Sequence, residues 1–152
     1  MEDISSDIVT EARNYIGVKF RHQGRSLSHG VDCLGLIICI AQQLQLESKQ
    51  GIMLHELDQR IYSKTPDSHK LYQTLRMHLQ EVARENLSAG HIALMEFDQN
   101  PQHLAIISSY GNNDLGSIHA YAPARKVVEH RLDKSWHRRI THIFSVEEQL
   151  RV

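Results

Sequence analysis

The apolar centre of the chain is Gly30-Val-Asp-Cys-Leu-Gly-Leu-Ile-Ile-Cys-Ile-Ala41. It starts with a turn and continues from Leu34 as an almost unbroken apolar run. A helix that is apolar on all sides is typically buried on all sides. The segment therefore predicts a central, buried helix from Cys33 to about Leu46, which the rest of the chain must cover.

Helical periodicity also occurs on either side of this segment. Ser6 or Asp7 can cap a first helix that ends at Gly17. Its apolar face consists of Ile8, Ala12, Tyr15 and Ile16. Asp67 or Ser68 can open a later amphipathic helix. The apolar positions of that helix are Leu71, Leu75, Leu79 and Val82.

The second half of the chain has the pattern of a β-sheet. Short runs rich in β-branched and aromatic residues are separated by turn-forming residues. These runs lie at 92–97, 103–108, 117–121, 127–132 and 138–144. Helices followed by a meander of about five antiparallel strands indicate an α+β fold, with the N-terminal helices packed on the sheet. The 152 residues are the size of one domain, so a single domain is expected over 1–152.

The composition excludes several classes of protein. Hydrophobic residues make up 41% and charged residues 23%, which is typical of a globular chain. The 17 Lys and Arg residues balance 18 Asp and Glu residues, so neither nucleic acid nor membrane is expected as a partner. The N-terminus lacks the pattern of a secretory signal. We therefore expect the protein to be cytoplasmic as synthesised.

Cys33 and Cys39 are the two cysteines of the chain. On one helix the rise alone separates them by about 9 Å, which is beyond the reach of a disulfide. The chain has neither a Cys-x-x-Cys nor a His-Glu-x-x-His pattern, so no metal and no cofactor is expected. Cys39 fits a small buried side chain deep in the helix.

Cys33 occupies the predicted N-terminus of the helix, where a thiol feels unpaired N–H groups and the positive end of the helix dipole. A cysteine pKa of about 8.5 leaves only a few per cent thiolate at neutral pH. The dipole contributes about 0.3–1 kcal/mol, which is less than one pKa unit. A histidine must therefore pair with Cys33 if it is a nucleophile. On position alone, a buried structural cysteine stays an open alternative.

His103 and His119 lie symmetrically about Gly111, within the predicted turn Gly-Asn-Asn-Asp. A hairpin centred on Gly111 would place the two histidines directly opposite each other, with Cβ atoms about 4.5–5.5 Å apart. One imidazole could then orient the other, as the third member of a catalytic triad does. Two unrelated surface histidines, among the 11 of the chain, are the alternative.

Several short segments, in order along nearly the whole chain, resemble the NlpC/p-sixty family of cell-wall cysteine peptidases. They are Ala12-Arg-Asn-Tyr-Ile-Gly17, Phe20-Arg-His-Gln-Gly24, Asp32-Cys-Leu-Gly-Leu-Ile37, Gly90-His-Ile-Ala-Leu94, Gln102-His-Leu-Ala-Ile106 and Ile118-His-Ala120. The third is similar to the family's Asp-Cys-Ser-Gly-Leu signature and the fifth to its His-Val-Gly-Ile strand. The resemblance implies a papain-like fold and hydrolysis of an amide bond in peptidoglycan stem peptides, commonly next to D-glutamate.

The same resemblance implies roles for individual residues. Cys33 would be the nucleophile, His103 the base and His119 its orienting group. Backbone N–H groups at the start of the Cys33 helix would hold the oxyanion. Asp32 would meet the free amine of a substrate, and Phe20 and His22 would line the same substrate site.

The chain departs from the family pattern at three positions, which bear on substrate preference. Phe20 stands where the family has tyrosine, Leu34 where it has serine, and His91 where it has aspartate. His22-Gln23, Leu34 and Trp136-His-Arg-Arg139 are most similar to the phage-derived and gene-transfer-agent branch. That branch implies a phage-tail or virion protein as partner, with lysis or a particle delivering the enzyme to the wall.

Three classes of function stay open at this point. The first is a peptidoglycan stem-peptide peptidase. The second is a toxin-like Cys-His amidase or deamidase that acts on a protein. The third is a noncatalytic wall- or phage-tail-binding module on the same fold, against which the intact set Cys33, His103 and His119 argues.

Overall fold

The architecture is taken from a computed structural model, which describes residues 3–58, 68–97 and 100–146. The helices are α1 (Ile4–Arg13), α2 (Cys33–Leu44), α3 (Ser68–His78) and α4 (Lys134–His137). The strands are β1 (Arg25–Ser26), β2 (Gly30–Val31), β3 (Gln80–Val82), β4 (Ile92–Phe97), β5 (Asn100–Tyr110), β6 (Asp114–Tyr121), β7 (Lys126–Arg131) and β8 (Ile140–Ser145). None of the helices described is long and apolar enough to cross a membrane.

Six of these strands form one sheet in the order β3-β8-β4-β5-β6-β7, and every neighbouring pair is antiparallel. The predicted α+β class is therefore confirmed. The sixth strand is β3, in which Val82 pairs with Ile143. The prediction that Val82 belongs to a helix is wrong, because α3 ends at His78. Pairing with the edge of β8 overrides the local helical periodicity.

The first helix begins earlier than predicted. Its N-cap is Asp3, whose carboxylate accepts a hydrogen bond from the Ser5 N–H at 3.0 Å, so the prediction of Ser6 or Asp7 is wrong. Asp7 instead lies in the first turn, where a negative charge interacts favourably with the positive end of the helix dipole. Asp67, the other predicted cap, lies outside the described residues, as do 98–99 and both ends of the 1–152 domain.

Apolar side chains cover both faces of the sheet. On one face, Leu36 and Ile40 of α2 pack with Leu104, Ile106 and further buried residues. Leu36 is fully buried, and burial of one leucine contributes about 1.5–3 kcal/mol. The opposite face carries a second cluster, built from Ala93, Met95, Ala105, Ile107, Ile140 and Ile143. Since alternate residues of a strand face opposite sides, His103 lies on this second face together with Ala105.

The β5–β6 hairpin differs from the prediction by one residue. Tyr110 pairs with Asp114, and Gly111 and Asn113 adopt left-handed φ values of 62° and 64° in the three-residue loop between them. The hairpin is therefore centred on residue 112, and the prediction that His103 lies directly opposite His119 is wrong. The two histidines are diagonal neighbours on one face. Pairing of β5 with β6 extends only as far as Ile106 and Ile118.

Candidate active site

Cys33 lies where β5 and β6 separate. Its sulfur donates to the carbonyl oxygen of Gln102 at 3.9 Å, and the backbone N–H of Leu104 points to the same sulfur. Gln102 and Leu104 precede Ile106, the last residue of β5 in this direction that pairs with β6, so their backbone groups are not used by β6. Gln102 and Leu104 flank His103 in sequence. The structure therefore brings the predicted nucleophile to the strand segment that carries the predicted base.

Asp32 fixes the start of α2. Its Oδ1 accepts from the Gly35 N–H at 2.7 Å, which is the N-cap contact, and its Oδ2 accepts from the Gln23 N–H at 2.8 Å. Arg25 donates to Oδ1 at 3.0 Å. One buried carboxylate thus joins the helix start to the preceding loop. Through these bonds Asp32 sets the position of the adjacent Cys33.

Arg25 extends this contact into a buried ion network. Its guanidinium binds Asp58 through two hydrogen bonds of 2.9 Å, in addition to its bond with Asp32. The three side chains are only 7%, 7% and 10% exposed, for Arg25, Asp32 and Asp58. The sequence did not indicate Arg25 or Asp58, because they lie 33 residues apart and no local pattern links them. A further close contact explains Gly35: a Cβ there would overlap the carbonyl oxygen of Gly24.

The electrostatics of Cys33 favour a neutral thiol. Burial, followed by the charge of Asp32, raises the pKa of Cys33 to about 11. The backbone N–H groups of Leu104 and Leu34 and the charge of Arg25 lower this pKa without reversing its direction. The small favourable effect expected from the helix N-terminus is thus outweighed by desolvation. Cys33 is half-buried, whereas Cys39 is buried, and neither forms a disulfide.

The two predicted histidines are in direct contact. His103 Nε2 and His119 Nδ1 are 2.6 Å apart, a hydrogen bond that joins the two rings on the second face of the sheet. His119 is fully buried and His103 is half-buried. The contact forms beyond Ile106 and Ile118, the last backbone pair in this direction, so the side chains join β5 to β6 where the ladder has ended.

A third imidazole continues the row and was missed by the sequence reasoning. His119 Nε2 lies 2.8 Å from His130 Nε2, and His130 Nδ1 lies 2.9 Å from the carbonyl oxygen of Arg131. His130 is on β7, two residues beyond Val128, which pairs with His119. Only the register between β6 and β7 reveals this proximity, and the sequence pattern does not fix that register.

Aromatic rings surround the row of imidazoles. The Trp136 ring centroid lies 5.1 Å from that of His119 and 4.6 Å from that of His130, and Phe97 lies 5.2 Å from His103. Burial in these surroundings lowers the pKa of His103 to about 4. Burial, followed by the neighbouring imidazoles, lowers the pKa of His119 to about 2. Both rings are therefore neutral at neutral pH.

The site thus places a neutral thiol beside the β5 segment that carries a neutral imidazole, and a second ring is hydrogen-bonded to that imidazole. A thiol and an imidazole that meet can transfer the thiol proton to a ring nitrogen as the sulfur attacks an acyl carbon. The chemistry that fits this arrangement is acyl transfer by a cysteine. It needs neither a metal nor a redox group.

The three predicted substrate residues lie on the segment that leads to Cys33. Phe20 is half-buried, packs against the helix-side core, and its backbone N–H binds the carbonyl of Arg125 at 2.9 Å. His22 is exposed, and Asp32 is buried in the contacts given above. Phe20 also forms a backbone bridge with Val31, directly before Asp32. Contact of Phe20, His22 and Asp32 with a substrate stays a prediction.

Comparison with known proteins gives the fold. No protein-family model and no curated protein matches the sequence. A lipoprotein-like protein of the NlpC/p-sixty family from Staphylococcus aureus has a TM-score of 0.63 at 18% identity, covering 98% of this chain and 43% of that one. The NlpC/p-sixty domain of the peptidoglycan hydrolase SagA has a TM-score of 0.59 at 20% identity, with 93% and 97% covered.

A third solved structure is an N-acetylmuramoyl-L-alanine amidase from Bacteroides uniformis. Its TM-score is 0.58 at 13% identity, and 95% of this chain and 99% of that one are covered. The chain thus spans less than half of the staphylococcal protein, whereas it matches nearly the whole of the other two. These similarities establish that the fold is that of NlpC/p-sixty domains, which is the papain-like architecture expected from the sequence.

Proposed function

We propose that the protein is a cysteine peptidase that hydrolyses an amide bond in the stem peptides of bacterial peptidoglycan. Cys33 is the nucleophile, His103 the general base and His119 its orienting group. The observation that carries the proposal is the position of the Cys33 sulfur, between the Gln102 carbonyl and the Leu104 N–H. The residue between those two is His103, whose Nε2 is bonded to His119.

Catalysis begins with both members of the pair neutral. As the sulfur attacks the substrate carbonyl, its proton passes to His103, so the thiolate forms only during the attack. The oxyanion is stabilised by backbone N–H groups at the start of α2. His103 then gives the proton to the leaving amine, and a thioester with Cys33 remains. Water, activated by the same imidazole, hydrolyses the thioester and regenerates the thiol.

The choice of peptidoglycan as substrate is supported by the functions named for the structural neighbours. SagA is described as a peptidoglycan hydrolase, and the Bacteroides protein as an amidase of the muramoyl–alanine bond. Only the second description names a bond, the one between N-acetylmuramic acid and L-alanine. We favour the stem peptide, because the segments around Phe20, Cys33 and His103 resemble those of stem-peptide peptidases.

Asp32 is the residue that we propose to bind the substrate amine. Asp32 already accepts hydrogen bonds from Gly35, Gln23 and Arg25, and it shares the Arg25 charge with Asp58. An incoming ammonium group therefore meets a buried carboxylate whose acceptor positions are largely occupied. With phenylalanine at position 20, no hydroxyl is present to assist. We accordingly propose weak selection between stem peptides with free and blocked N-termini.

Delivery to the wall is proposed from the resemblance alone. His22-Gln23, Leu34 and the segment 136–139 support a phage-derived origin, with a phage-tail or virion protein as carrier or with release by lysis. The test is to purify particles from a strain that expresses the tagged chain. Co-purification that survives high salt supports a particle partner, and presence only in the lysate supports release by lysis.

The function is tested by digestion of purified sacculi, with the soluble products identified by mass spectrometry. The wild-type protein is compared with Cys33→Ser, and Cys39→Ser is the matched control. Products cut within the stem peptide, made by wild type and Cys39→Ser only, support the proposal. Release of whole stem peptides indicates a muramoyl–alanine amidase. Sacculi that bind the protein without being cut indicate a noncatalytic module, and activity on protein amides alone indicates a deamidase.

A further inference from the structure

We propose that His130 is a positioning residue that sets the tautomer of His103, acting through His119 and anchored by the backbone carbonyl of Arg131. This inference rests on the proposed function for its effect on catalysis. The tautomer itself is a property of the folded protein and can be measured without substrate.

The row of rings ends at a group that can only accept. A carbonyl oxygen has no hydrogen to donate, so the 2.9 Å contact between His130 Nδ1 and the Arg131 oxygen requires a hydrogen on Nδ1. A neutral imidazole carries one N–H and one lone pair. His130 Nε2 therefore carries the lone pair and accepts from its neighbour.

The same rule then fixes the other two rings. His119 Nε2 lies 2.8 Å from His130 Nε2, which accepts, so His119 Nε2 must be the donor. The lone pair of His119 is therefore on Nδ1. His103 Nε2 lies 2.6 Å from that nitrogen and must donate to it. The lone pair of His103 consequently resides on Nδ1. This is the only nitrogen of His103 that the row leaves to accept a proton from Cys33.

The tautomers assigned above belong to neutral rings. Trp136 lies edge to face against His119 and tilted against His130, and His119 is fully buried. The depressed pKa values of His103 and His119 agree with this neutrality. If the row ran in the opposite direction, the lone pair of His130 Nδ1 would face the lone pairs of the Arg131 oxygen. The backbone carbonyl of Arg131 therefore favours the direction in which each ring donates toward His130.

A metal site is the other common use of grouped histidines, and the geometry does not fit it. The rings meet nitrogen to nitrogen at hydrogen-bond distances, so their nitrogens point at one another and not at a shared centre. Within the ranges described, no group of three or more His, Cys, Asp or Glu side chains is arranged to hold an ion.

The experiment reads the tautomers directly by ¹⁵N ring NMR at neutral pH, in the absence of substrate. In the wild-type protein we expect His103 protonated on Nε2 with Nδ1 bare. His130→Gln keeps an acceptor for His119 and preserves this state. His130→Lys offers only donors, so His119 must accept on Nε2 and donate from Nδ1. His103 then carries its hydrogen on Nδ1, and the tautomer is reversed.

Activity supplies the second readout. We expect His130→Gln to keep kcat within about threefold of wild type, since one hydrogen-bond acceptor replaces another, and His130→Lys to lower kcat about 100-fold or more, as wrong tautomers do. Val128→Ala is the matched control, because it removes side-chain volume beside His119 on the same strand but no hydrogen bond. We expect it to leave the tautomers unchanged.

The outcomes separate the two proposals. A His103 that bears its hydrogen on Nδ1 in the wild-type protein overturns the inference, and so does a tautomer that is unchanged in His130→Lys. The expected tautomers in a protein that cuts no stem peptide support the positioning role and reject the proposed function. If His130→Lys fails to fold, the wild-type spectrum still tests the row: hydrogens on His130 Nδ1, His119 Nε2 and His103 Nε2 support the inference, and a hydrogen on His130 Nε2 overturns it.

Discussion

The two sides of the candidate site are held by opposite means. The Cys33 side, or charged side, is fixed by charge: Asp32, Arg25 and Asp58 form a buried ion network at the start of the helix that carries Cys33. The His103 side, or neutral side, is fixed by hydrogen bonds between rings, since His103 continues into a row of imidazoles surrounded by aromatic rings. Charge gives strong, directional bonds that position a backbone. Neutrality keeps one ring nitrogen available to take a proton.

Each way of holding the site makes it sensitive to a different kind of substitution. A buried ion network loses the hydration of its charges. If one member is removed, the charge of the remaining members is no longer balanced in the protein interior. A neutral row loses little hydration but depends on every ring having the right tautomer. We therefore expect the charged side to fail mainly in stability and the neutral side mainly in activity.

The largest effect is expected from the base. His103→Ala should lower kcat/KM by about 10²–10⁴-fold, the usual contribution of a general base, while the fold remains. His142→Ala is the control, because this other half-buried imidazole stacks on Tyr72, with ring centroids 4.1 Å apart, and takes no part in the row. Equal activities of His103→Ala and His142→Ala in a stem-peptide assay would contradict a role for His103 in catalysis.

The charged side is tested by Arg25→Met. The variant removes a positive charge that binds the buried carboxylates of both Asp32 and Asp58, so we expect a loss of about 3–5 kcal/mol in the free energy of unfolding. The control is Arg131→Met, which breaks an exposed ion pair with Asp114 and should cost no more than about 1 kcal/mol. Urea denaturation of both variants measures the difference. Similar losses would show that the buried network has no special role.

The neutral side should respond to pH. Because the pKa of His103 is lowered to about 4, the unfolded chain binds more protons than the folded one between about pH 6.5 and pH 4. Stability is therefore present above pH 6.5 and is lost as the pH falls through this window. The loss is at most about 1.4 kcal/mol per pH unit for each such histidine. Urea titrations from pH 7 to pH 4 measure it, and His103→Gln should reduce the slope.

The smallest effect is expected at Phe20, which we propose as a substrate residue. Phe20→Tyr adds a hydroxyl to its ring, and one hydrogen bond to a polar substrate group is worth about 0.5–3 kcal/mol, or about two- to a hundred-fold in binding. We expect the variant to increase the preference for stem peptides with a free amine without loss of fold. A wild-type protein that already selects strongly for the free amine, unchanged in Asp32→Asn, would contradict this view of the site.

Local features of the site could be predicted from the sequence, and features that depend on strand register could not. The turn before Cys33 and the apolar helix lie within a dozen consecutive residues, so their pattern is sufficient. The contact of His103 with His119 was expected, but from a hairpin centre that is wrong by one residue, which shifts the strand register by two. Left-handed residues at both Gly111 and Asn113 close a three-residue loop, and only the structure reveals this.

The remaining omissions have the same physical origin. Arg25 reaches Asp58 across 33 residues, and His130 reaches His119 across a strand pair. In β3, Gln80–Val82 forms a strand because β8 offers it an edge. These contacts arise from long-range pairing, which overrides local propensity.

The central claim is that Cys33 and His103 act as one catalytic pair where β5 separates from β6. The most direct measurement is the rate at which a stem-peptide analogue with an electrophilic carbonyl forms a covalent adduct, followed by intact mass and peptide mapping. We predict one adduct, on Cys33, formed much more slowly in His103→Ala and absent in Cys33→Ser. An adduct on Cys39, or an equal rate on Cys33 in wild type and His103→Ala, would contradict the claim.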